Sequence, residues 1–147
     1  MRRFEVVRDD CRKHPNTEIK LPQRATVGSM GYDFSSPDEY MVYPNNVVKI
    51  WSDVHAVMNE DEGLLLNIRS SMGRRFSLLN TLGVIDSDYI NGNNNGNVGI
   101  FLQNVSDETQ YIHKGDAIAQ GIFLKYLITD DDNATAERTG GFGSTGS

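Results

Sequence analysis

Short apolar runs separated by turn residues are the feature that most restricts how this chain can fold. Valine, isoleucine and leucine dominate the runs, and helical spacing of apolar residues is nearly absent. The clearest runs occupy residues 47–51, 54–58, 64–68, 98–102 and 118–124. Many short strands with Asn, Gly and Asp turns predict an all-β sandwich or barrel. The one expected helical turn lies in SSMGRRFSLL, residues 70–79, with Ser70 or Ser71 as its cap.

Length and composition predict one globular domain followed by a tail. The chain has 147 residues, of which 38% are hydrophobic and 23% are charged, as in ordinary folded domains. Residues 1–129 contain all the apolar runs, whereas residues 130–147 are polar and end in a glycine-rich segment. We expect a β domain at 1–129 and a flexible arm at 130–147, because the arm has no apolar period with which to pack.

Charge and cysteine content narrow the expected partners and location. Fourteen Lys and Arg against twenty Asp and Glu give a net charge of -6, which disfavours nucleic acid but not a small phosphorylated ligand. No apolar run approaches the roughly 20 residues that cross a bilayer, so we expect no membrane association. The only cysteine is Cys11, and a reducing cytoplasm is the simplest setting. The three histidines, His14, His55 and His113, lie in separate segments and predict no metal site.

The segment NIRSSMGRR, residues 67–75, combines a guanidinium with two hydroxyls at the start of the expected helical turn. Backbone N–H groups at a helix start attract anions, and Arg69 adds a forked cation. Arg69, Ser70 and Ser71 are therefore candidate anion ligands. An ordinary cap beside solvated arginines is the alternative that the residues alone leave open.

The segment NTLGVIDSDYI, residues 80–90, delivers an acid at the end of an expected buried strand at 82–85. Asp86 at that edge can act as a general base if water lies within hydrogen-bond reach. A turn aspartate after a strand is the alternative. Tyr89 is either a core residue or a flat surface for a sugar.

Two further polar features stand in or beside apolar runs. Gln120 lies within KGDAIAQGIF, and a buried amide there must hydrogen-bond either the sheet or a ligand. NGNNNGN, residues 91–97, is expected to be mostly a solvated hairpin tip, since Asn and Gly tolerate left-handed backbone.

The final segment, ERTGGFGSTGS, sets one cation and one aromatic ring among glycines. Glycine lets backbone approach phosphate closely, Arg138 can hold a terminal phosphate, and Phe142 offers a face to a base. We expect a lid that orders over a nucleotide. A plain flexible tail is the alternative, although a linker gives no reason for Arg138 or Phe142.

Taken in order, GSMGYDFSS, IRSSMG, GVIDSDY, GDAIAQGIF and RTGGFGSTG resemble the five motifs of the trimeric dUTP pyrophosphatases, or dUTPases. The resemblance covers about residues 20–146. It implies a β jelly roll assembled as a homotrimer, with each active site shared among three chains and reached by a crossing arm. It also implies Mg²⁺-dependent hydrolysis of dUTP to dUMP and pyrophosphate by in-line attack of water on the α-phosphorus, which keeps uracil out of DNA and supplies dUMP.

The resemblance implies roles for residues at matching positions. Asp86 would activate the attacking water, Tyr89 would stack under deoxyribose, and backbone of the hairpin that begins at Asn80 would read uracil. Phosphates and water would hold the Mg²⁺, with Asp33 structural or supporting it indirectly. The remaining residues that the resemblance implies as substrate-binding are Arg69, Ser70, Ser71, Gly83, Gln120, Arg138, Phe142, Gly143 and Ser144.

Three departures from the family pattern bear on these expectations. Ala117 stands where relatives often carry an arginine that supports the first motif's acid, here Asp33. Only Thr139 separates Arg138 from the glycine pair, one residue fewer than usual, so the arm must follow a different path. INGNNN, residues 90–95, is an insertion that lengthens the hairpin.

Two alternative functions stay open at this point. The dCTP deaminases share the fold and carry a segment like IRSSMGRR, whereas GVIDSDY favours a dUTPase. A regulatory protein that uses its dUTP-bound state as a signal is the other alternative, and residues 91–97 would then contact its protein partner.

Overall fold

The computed structural model describes residues 1–141, and its regular structure in that range is eleven strands and three short 3-10 turns. The all-β prediction is confirmed, and each apolar run lies largely within a strand. The strands are β1 (Arg3–Val6), β2 (Tyr32–Ser35), β3 (Tyr40–Val42), β4 (Val47–Trp51), β5 (Val54–Val57), β6 (Glu62–Asn67), β7 (Phe76–Leu78), β8 (Gly83–Ile85), β9 (Gly99–Asn104), β10 (Gln110–Ile112) and β11 (Ala117–Lys125). The 3-10 turns span Asp9–Cys11, Ser70–Met72 and Tyr89–Asn91. Within this range no helix has the length and apolar character needed to cross a membrane.

The strands pair antiparallel in four sheets, which join segments far apart in sequence. The sheets have the orders β1-β5, β10-β3, β4-β9-β7 and β2-β11-β6-β8. In the last of these, β11 is central, with β2 on one side and β6 on the other. Strand β8 pairs with β6 and stands at the edge of that sheet. This sheet carries Asp33, Gly83 and Gln120, and Arg69 and Asp86 lie just beyond the ends of β6 and β8.

One hydrophobic core receives side chains from all four sheets. Along β6, Leu64 and Leu66 are buried, whereas Leu65 and Asn67 between and after them are only partly buried. Full burial of a leucine stabilises the fold by about 1.5–3 kcal/mol. A one-residue slip would turn Leu65 and Asn67 inward instead, so this alternation fixes the register of β6. Core residues from the other sheets include Phe4, Ile50, Ile100 and Ile112.

Strand β8 is shorter and more exposed than the sequence suggests. Gly83 and Ile85 are buried, but Val84 and the preceding Leu82 are exposed. The expectation of a buried strand at 82–85 is therefore correct only for alternate residues, because an edge strand of an antiparallel sheet covers the core with one face. The expected position of the acid is correct, because Asp86 follows β8 directly.

The turn after β6 is shorter than a helix and lacks the expected cap. It spans Ser70–Met72, its N-cap residue is Arg69, and no side chain hydrogen-bonds the cap. The prediction that Ser70 or Ser71 caps it is wrong, because both serines lie inside the 3-10 turn rather than before it. Both are exposed.

Candidate active site

The turn after β8 exposes one carboxylate beside the sheet edge. The Tyr89 N–H donates to the Asp86 carbonyl at 3.1 Å, which closes the turn that follows β8. The Asp86 side chain is 55% exposed, so water can reach its oxygens. Its position after a paired strand and before a closed turn limits where the carboxylate can lie.

Arg138 of the arm connects two acids of this turn. Its Nη2 lies 2.5 Å from Asp86 Oδ2, and its Nε lies 2.8 Å from Asp88 Oδ1. The arginine side chain is only 9% exposed, and its guanidinium carbon lies 5.7 Å from the centre of the Tyr89 ring. We expected that apolar packing would not fix the arm. The contacts that Arg138 makes to Asp86 and Asp88 are ion pairs, which agrees with that expectation. Asp88 was not among the sequence candidates, although the DSD pattern places two acids two residues apart.

Tyr89 belongs to the hydrophobic core and is also hydrogen-bonded. Its hydroxyl donates to the Asn97 carbonyl at 2.8 Å and accepts from Asn94 Nδ2 at 2.8 Å. Burial raises the pKa of Tyr89 above its ordinary value, and the Asn94 hydrogen bond and the charge of Arg138 partly oppose that rise. The phenol is therefore held neutral and fixed, with Arg138 over its ring.

A tight turn between β7 and β8 carries Asn80 to the same place. Thr81 has a φ of 68°, and the Leu82 N–H donates to the Asn80 carbonyl at 2.7 Å. A Cβ atom at Gly83 would lie 3.0 Å from Leu66 Cβ, so glycine permits the close approach of β8 to β6. The outer side of an edge strand leaves backbone donors and acceptors available to a flat ligand.

These residues surround one cavity. We call the candidates that line it, together with Asp88, the carboxylate region. The cavity has a volume of about 130 Å³. The sequence candidates that line it are Asn80, Gly83, Asp86, Tyr89 and Arg138. A second groove of about 640 Å³ is also lined by Asp86 and Arg138, together with Leu124 and Tyr126.

The other candidates form a second group, the Arg69 region, made of Asp33, Arg69, Ser70 and Gln120. Arg69 Nε lies 3.1 Å from Asp33 Oδ1. Gln120 on β11 is opposite Asp33 on β2 and opposite Asn67 on β6. A Cβ atom at Gly31 would lie 2.5 Å from Gln120 Oε1, so glycine there leaves room for the amide.

Asp33 keeps an arginine partner although position 117 is alanine. Ala117 lies opposite Ser35 on β2, and β11 has an irregularity between Ala117 and Ala119. Arg69 reaches Asp33 from the turn after β6 instead. Asp33, the acid of the first motif, therefore pairs with Arg69, which is a candidate phosphate ligand.

None of the Arg69 region lines the cavity of about 130 Å³, so within residues 1–141 the candidates fall into two separate groups. Ser71 is exposed beside the Arg69 region. The predictions for Phe142, Gly143 and Ser144 lie outside the described residues.

The expectation of a solvated hairpin tip at residues 91–97 is wrong for most of that loop. Asn95 is 8% exposed and Asn97 is 1% exposed. Their amides find partners in distant segments, which a local sequence pattern does not reveal. Asn91 and Asn93 are exposed, so the alternative of a regulatory partner at this loop stays a prediction for them.

The fold is shared with solved β-sheet nucleotide hydrolases. The crystal structure of the dUTPase from Streptococcus mutans matches with a TM-score of 0.75 and 32% identity, covering 87% of this chain and 98% of that one. A mutant dUTPase from phage phi11 of S. aureus, solved with a structural Mg(II) ion, matches with a TM-score of 0.71. That phage enzyme is only 18% identical over 95% of this chain and 99% of its own, so it supports the fold alone.

Sequence comparison gives the family. The dUTPase family model matches residues 17–146. The deoxyuridine 5'-triphosphate nucleotidohydrolase of Lactococcus lactis is 38% identical over 99% of this chain and 98% of its own length. The chain belongs to the dUTPase family, which confirms the resemblance seen in its motifs.

Proposed function

We propose that this protein hydrolyses dUTP to dUMP and pyrophosphate, and so keeps uracil out of DNA and supplies dUMP. Family membership supports the activity. The single observation that supports the site is the exposed carboxylate of Asp86 at the rim of the cavity that Tyr89, Gly83 and Asn80 also line. A cytoplasmic location remains part of the proposal.

Asp86 accepts a proton from the attacking water. A general base must lie within hydrogen-bond reach of that water, and a half-exposed carboxylate at a cavity rim meets the requirement. Arg138 exchanges its contacts with Asp86 and Asp88 for phosphate oxygens when the nucleotide binds. A planar guanidinium suits this exchange, because it binds carboxylates and phosphates with the same fork.

Tyr89 and β8 select the nucleoside. The fixed Tyr89 ring lies under the deoxyribose and leaves no space for a 2′-hydroxyl, while backbone groups near Asn80 and Gly83 pair with uracil. Cytosine presents reversed donors and acceptors to that backbone, and the methyl group of thymine would clash. A site built on such hydrogen bonds rejects mismatched analogues by factors on the order of 10⁴.

Arg69, Ser70, Ser71 and Gln120 bind the phosphates, with Asp33 orienting Arg69. Because these residues lie apart from the cavity at Tyr89 in one chain, the complete site combines the two regions of neighbouring subunits in a homotrimer. The arm then closes over the nucleotide, with Phe142 on uracil and Gly143 and Ser144 as further substrate-binding residues.

Magnesium fits this arrangement as a partner of the substrate. Within residues 1–141 no cluster of three or more His, Cys, Asp or Glu side chains could hold a metal ion. Mg²⁺ keeps several waters and binds largely through substrate phosphates, so phosphates and water would hold it here without a dedicated set of protein ligands. When bound, the ion neutralises the negative charge that develops on the phosphates.

Pyrophosphate release from dUTP, dCTP, dTTP and UTP, each with and without Mg²⁺, tests the proposal. We expect release from dUTP alone, and only with Mg²⁺. Release of ammonia from dCTP instead would reassign the chain to the deaminases. Light scattering tests the assembly, and a monomer with full activity would overturn the shared site.

A further inference from the structure

The loop of residues 92–97 is anchored to the N-terminal segment of the fold. Asn97 Nδ2 donates to Asp53 Oδ1, and Asn97 Oδ1 accepts from the Asp53 N–H, both at 2.9 Å. The Asp53 carboxylate is fully buried and also accepts the backbone N–H groups of Lys13 and His14 at 2.8 and 2.7 Å. A buried charge with this many donors is satisfied, so it holds the loop firmly.

A second anchor lies two residues earlier in the loop. Asn95 Oδ1 accepts from the Arg8 N–H at 2.8 Å, and the Asn95 carbonyl lies 2.8 Å from His55 Nδ1. Gly96 has a φ of +71°, and a Cβ atom there would lie 2.7 Å from Ile90 Cα. Only glycine fits this position, so the loop has one well-defined backbone course.

The anchored loop supplies both hydrogen-bond partners of the Tyr89 hydroxyl. The Asn97 carbonyl accepts its proton, and Asn94 Nδ2 donates to its oxygen. The Asn94 amide is itself fixed at its other end, because Oδ1 accepts from the Gly96 N–H at 3.1 Å. Asn94 is partly buried; its side-chain amide bonds the Tyr89 hydroxyl and the Gly96 N–H, and its carbonyl accepts from the Asn97 N–H at 3.2 Å.

We propose that Asn94 is a positioning residue that sets the tilt of the Tyr89 ring and thereby the exclusion of ribonucleotides. The inference rests on the proposed function, in which that ring lies under the sugar. A hydroxyl with one fixed acceptor and one fixed donor holds the far end of the Tyr89 side chain, so the long axis of the ring can swing little. Without Asn94 the ring keeps its Asn97 contact but can tilt, which opens space where a 2′-hydroxyl would lie.

The test is the ratio of kcat/KM for dUTP to kcat/KM for UTP in Asn94→Ala and Asn94→Asp. The aspartate is nearly isosteric but carries no Nδ2 donor, and its carboxylate would face the phenol oxygen. We expect the ratio to fall about tenfold in both variants. The matched control is Asn91→Ala, because the Asn91 side chain is exposed and makes no hydrogen bond to any described residue. Its ratio should not change.

A double-mutant cycle with Tyr89→Phe separates positioning from a general structural effect. Once the hydroxyl is absent, Asn94→Ala should change the ratio by less than about twofold. An effect of Asn94 on the arm would alter both substrates alike and cancel in the ratio. Thermal unfolding of each variant accompanies the kinetics.

Three results would overturn the proposal: an unchanged ratio in both Asn94 variants, an equal fall in the Tyr89→Phe background, or unfolding of both variants at assay temperature. The last would make Asn94 structural rather than positioning. Failure of the proposed function is distinguishable, because the unmodified protein would then release no pyrophosphate from dUTP.

Discussion

The carboxylate region and the Arg69 region both pair an arginine with acid, but different kinds of structure position them. In the Arg69 region, strand register positions the side chains, since Gln120 is opposite both Asp33 and Asn67 in a continuous sheet. In the carboxylate region an edge strand, a 3-10 turn, an inserted loop and an arm meet, and side-chain hydrogen bonds hold them. Backbone ladders tolerate substitution of a single side chain, whereas the carboxylate region depends on individual amides.

The two regions also differ in charge. Arg138 lies between two acids, Asp86 and Asp88, whereas Arg69 faces Asp33 alone. The carboxylate region therefore carries an excess negative charge and suits a base and a cation. The Arg69 region is balanced, and Asp33 contacts Nε of Arg69, so the other N–H groups of the guanidinium can bind an incoming phosphate while Asp33 stays in place.

The largest expected effect is at Asp86, where Asp86→Asn removes the proposed base. We expect turnover to fall by roughly 10²-fold or more while dUTP still binds, because the amide keeps the shape but accepts no proton. Steady-state kinetics and calorimetric binding measure the two quantities. Asp88→Asn is the matched control, since Asp88 shares Arg138 but has no base role, and it should lose less than about tenfold. Equal losses in the two variants would mean that their charge, not proton transfer, is what matters.

Arg138→Gln should have the next largest effect, a loss of roughly 10- to 100-fold in kcat/KM. The change removes the fork that we propose moves from carboxylates to phosphate. Arg138→Lys should recover only part of the activity, because an ammonium keeps the charge but not the fork. Arg74→Gln is the control, as Arg74 is exposed and contacts no acid within residues 1–141. Full activity in Arg138→Lys would contradict the exchange.

The strands and the position of Asp86 follow from local pattern, and both could be predicted from the sequence. The apolar runs became β4, β5, β6, β9 and β11, and Asp86 directly follows β8 as expected. The resemblance supplied candidate positions, but not which of them meet. Arg138 and Asp86 are 52 residues apart, and their contact depends on the course of the arm.

The partners within the Arg69 region and the inserted loop could not be predicted in the same way. Asp33 meets Arg69 only because β11 lies between β2 and β6 in the sheet. Asn97 and Asp53 are 44 residues apart, so the local sequence gives no sign of their contact. The polar composition of the loop therefore predicted a solvated segment. In both cases the decisive contact is long-range, and a single sequence records only local preference.

Gly31→Ala tests the Arg69 region without touching a charged group. The new Cβ atom would lie 2.5 Å from Gln120 Oε1 and would force that amide to move. We expect KM for dUTP to rise about fivefold with little loss of stability, because the end of a side chain can shift. Gly28→Ala is the control, since a Cβ atom at Gly28 would have nothing within 4 Å. An unchanged KM in Gly31→Ala would argue against a role of Gln120 in binding.

The smallest expected effect is at Glu5, which supports the loop of the carboxylate region through His55. His55 lies between Glu5 and Asn95, with Nε2 3.0 Å from Glu5 Oε1. The hydrogen bond to His55, followed by that to Arg3, holds the pKa of Glu5 below its ordinary value. A carboxyl with a lowered pKa in the folded state adds stability above the pKa of the unfolded chain. That stability disappears as pH falls through the lower folded value.

Glu5→Gln should therefore lower the free energy of unfolding by less than about 1 kcal/mol at pH 7, since Glu5 is half-exposed. The difference from the unmodified protein should shrink as pH falls below about 4. Glu18→Gln, at an exposed site, should show no such difference. Hydrogen exchange makes the regional comparison: amides of residues 92–97 should exchange faster in Glu5→Gln while those of β11 stay unchanged. Equal acceleration in β11 would mean that Glu5 stabilises both regions and not the loop of residues 92–97 in particular.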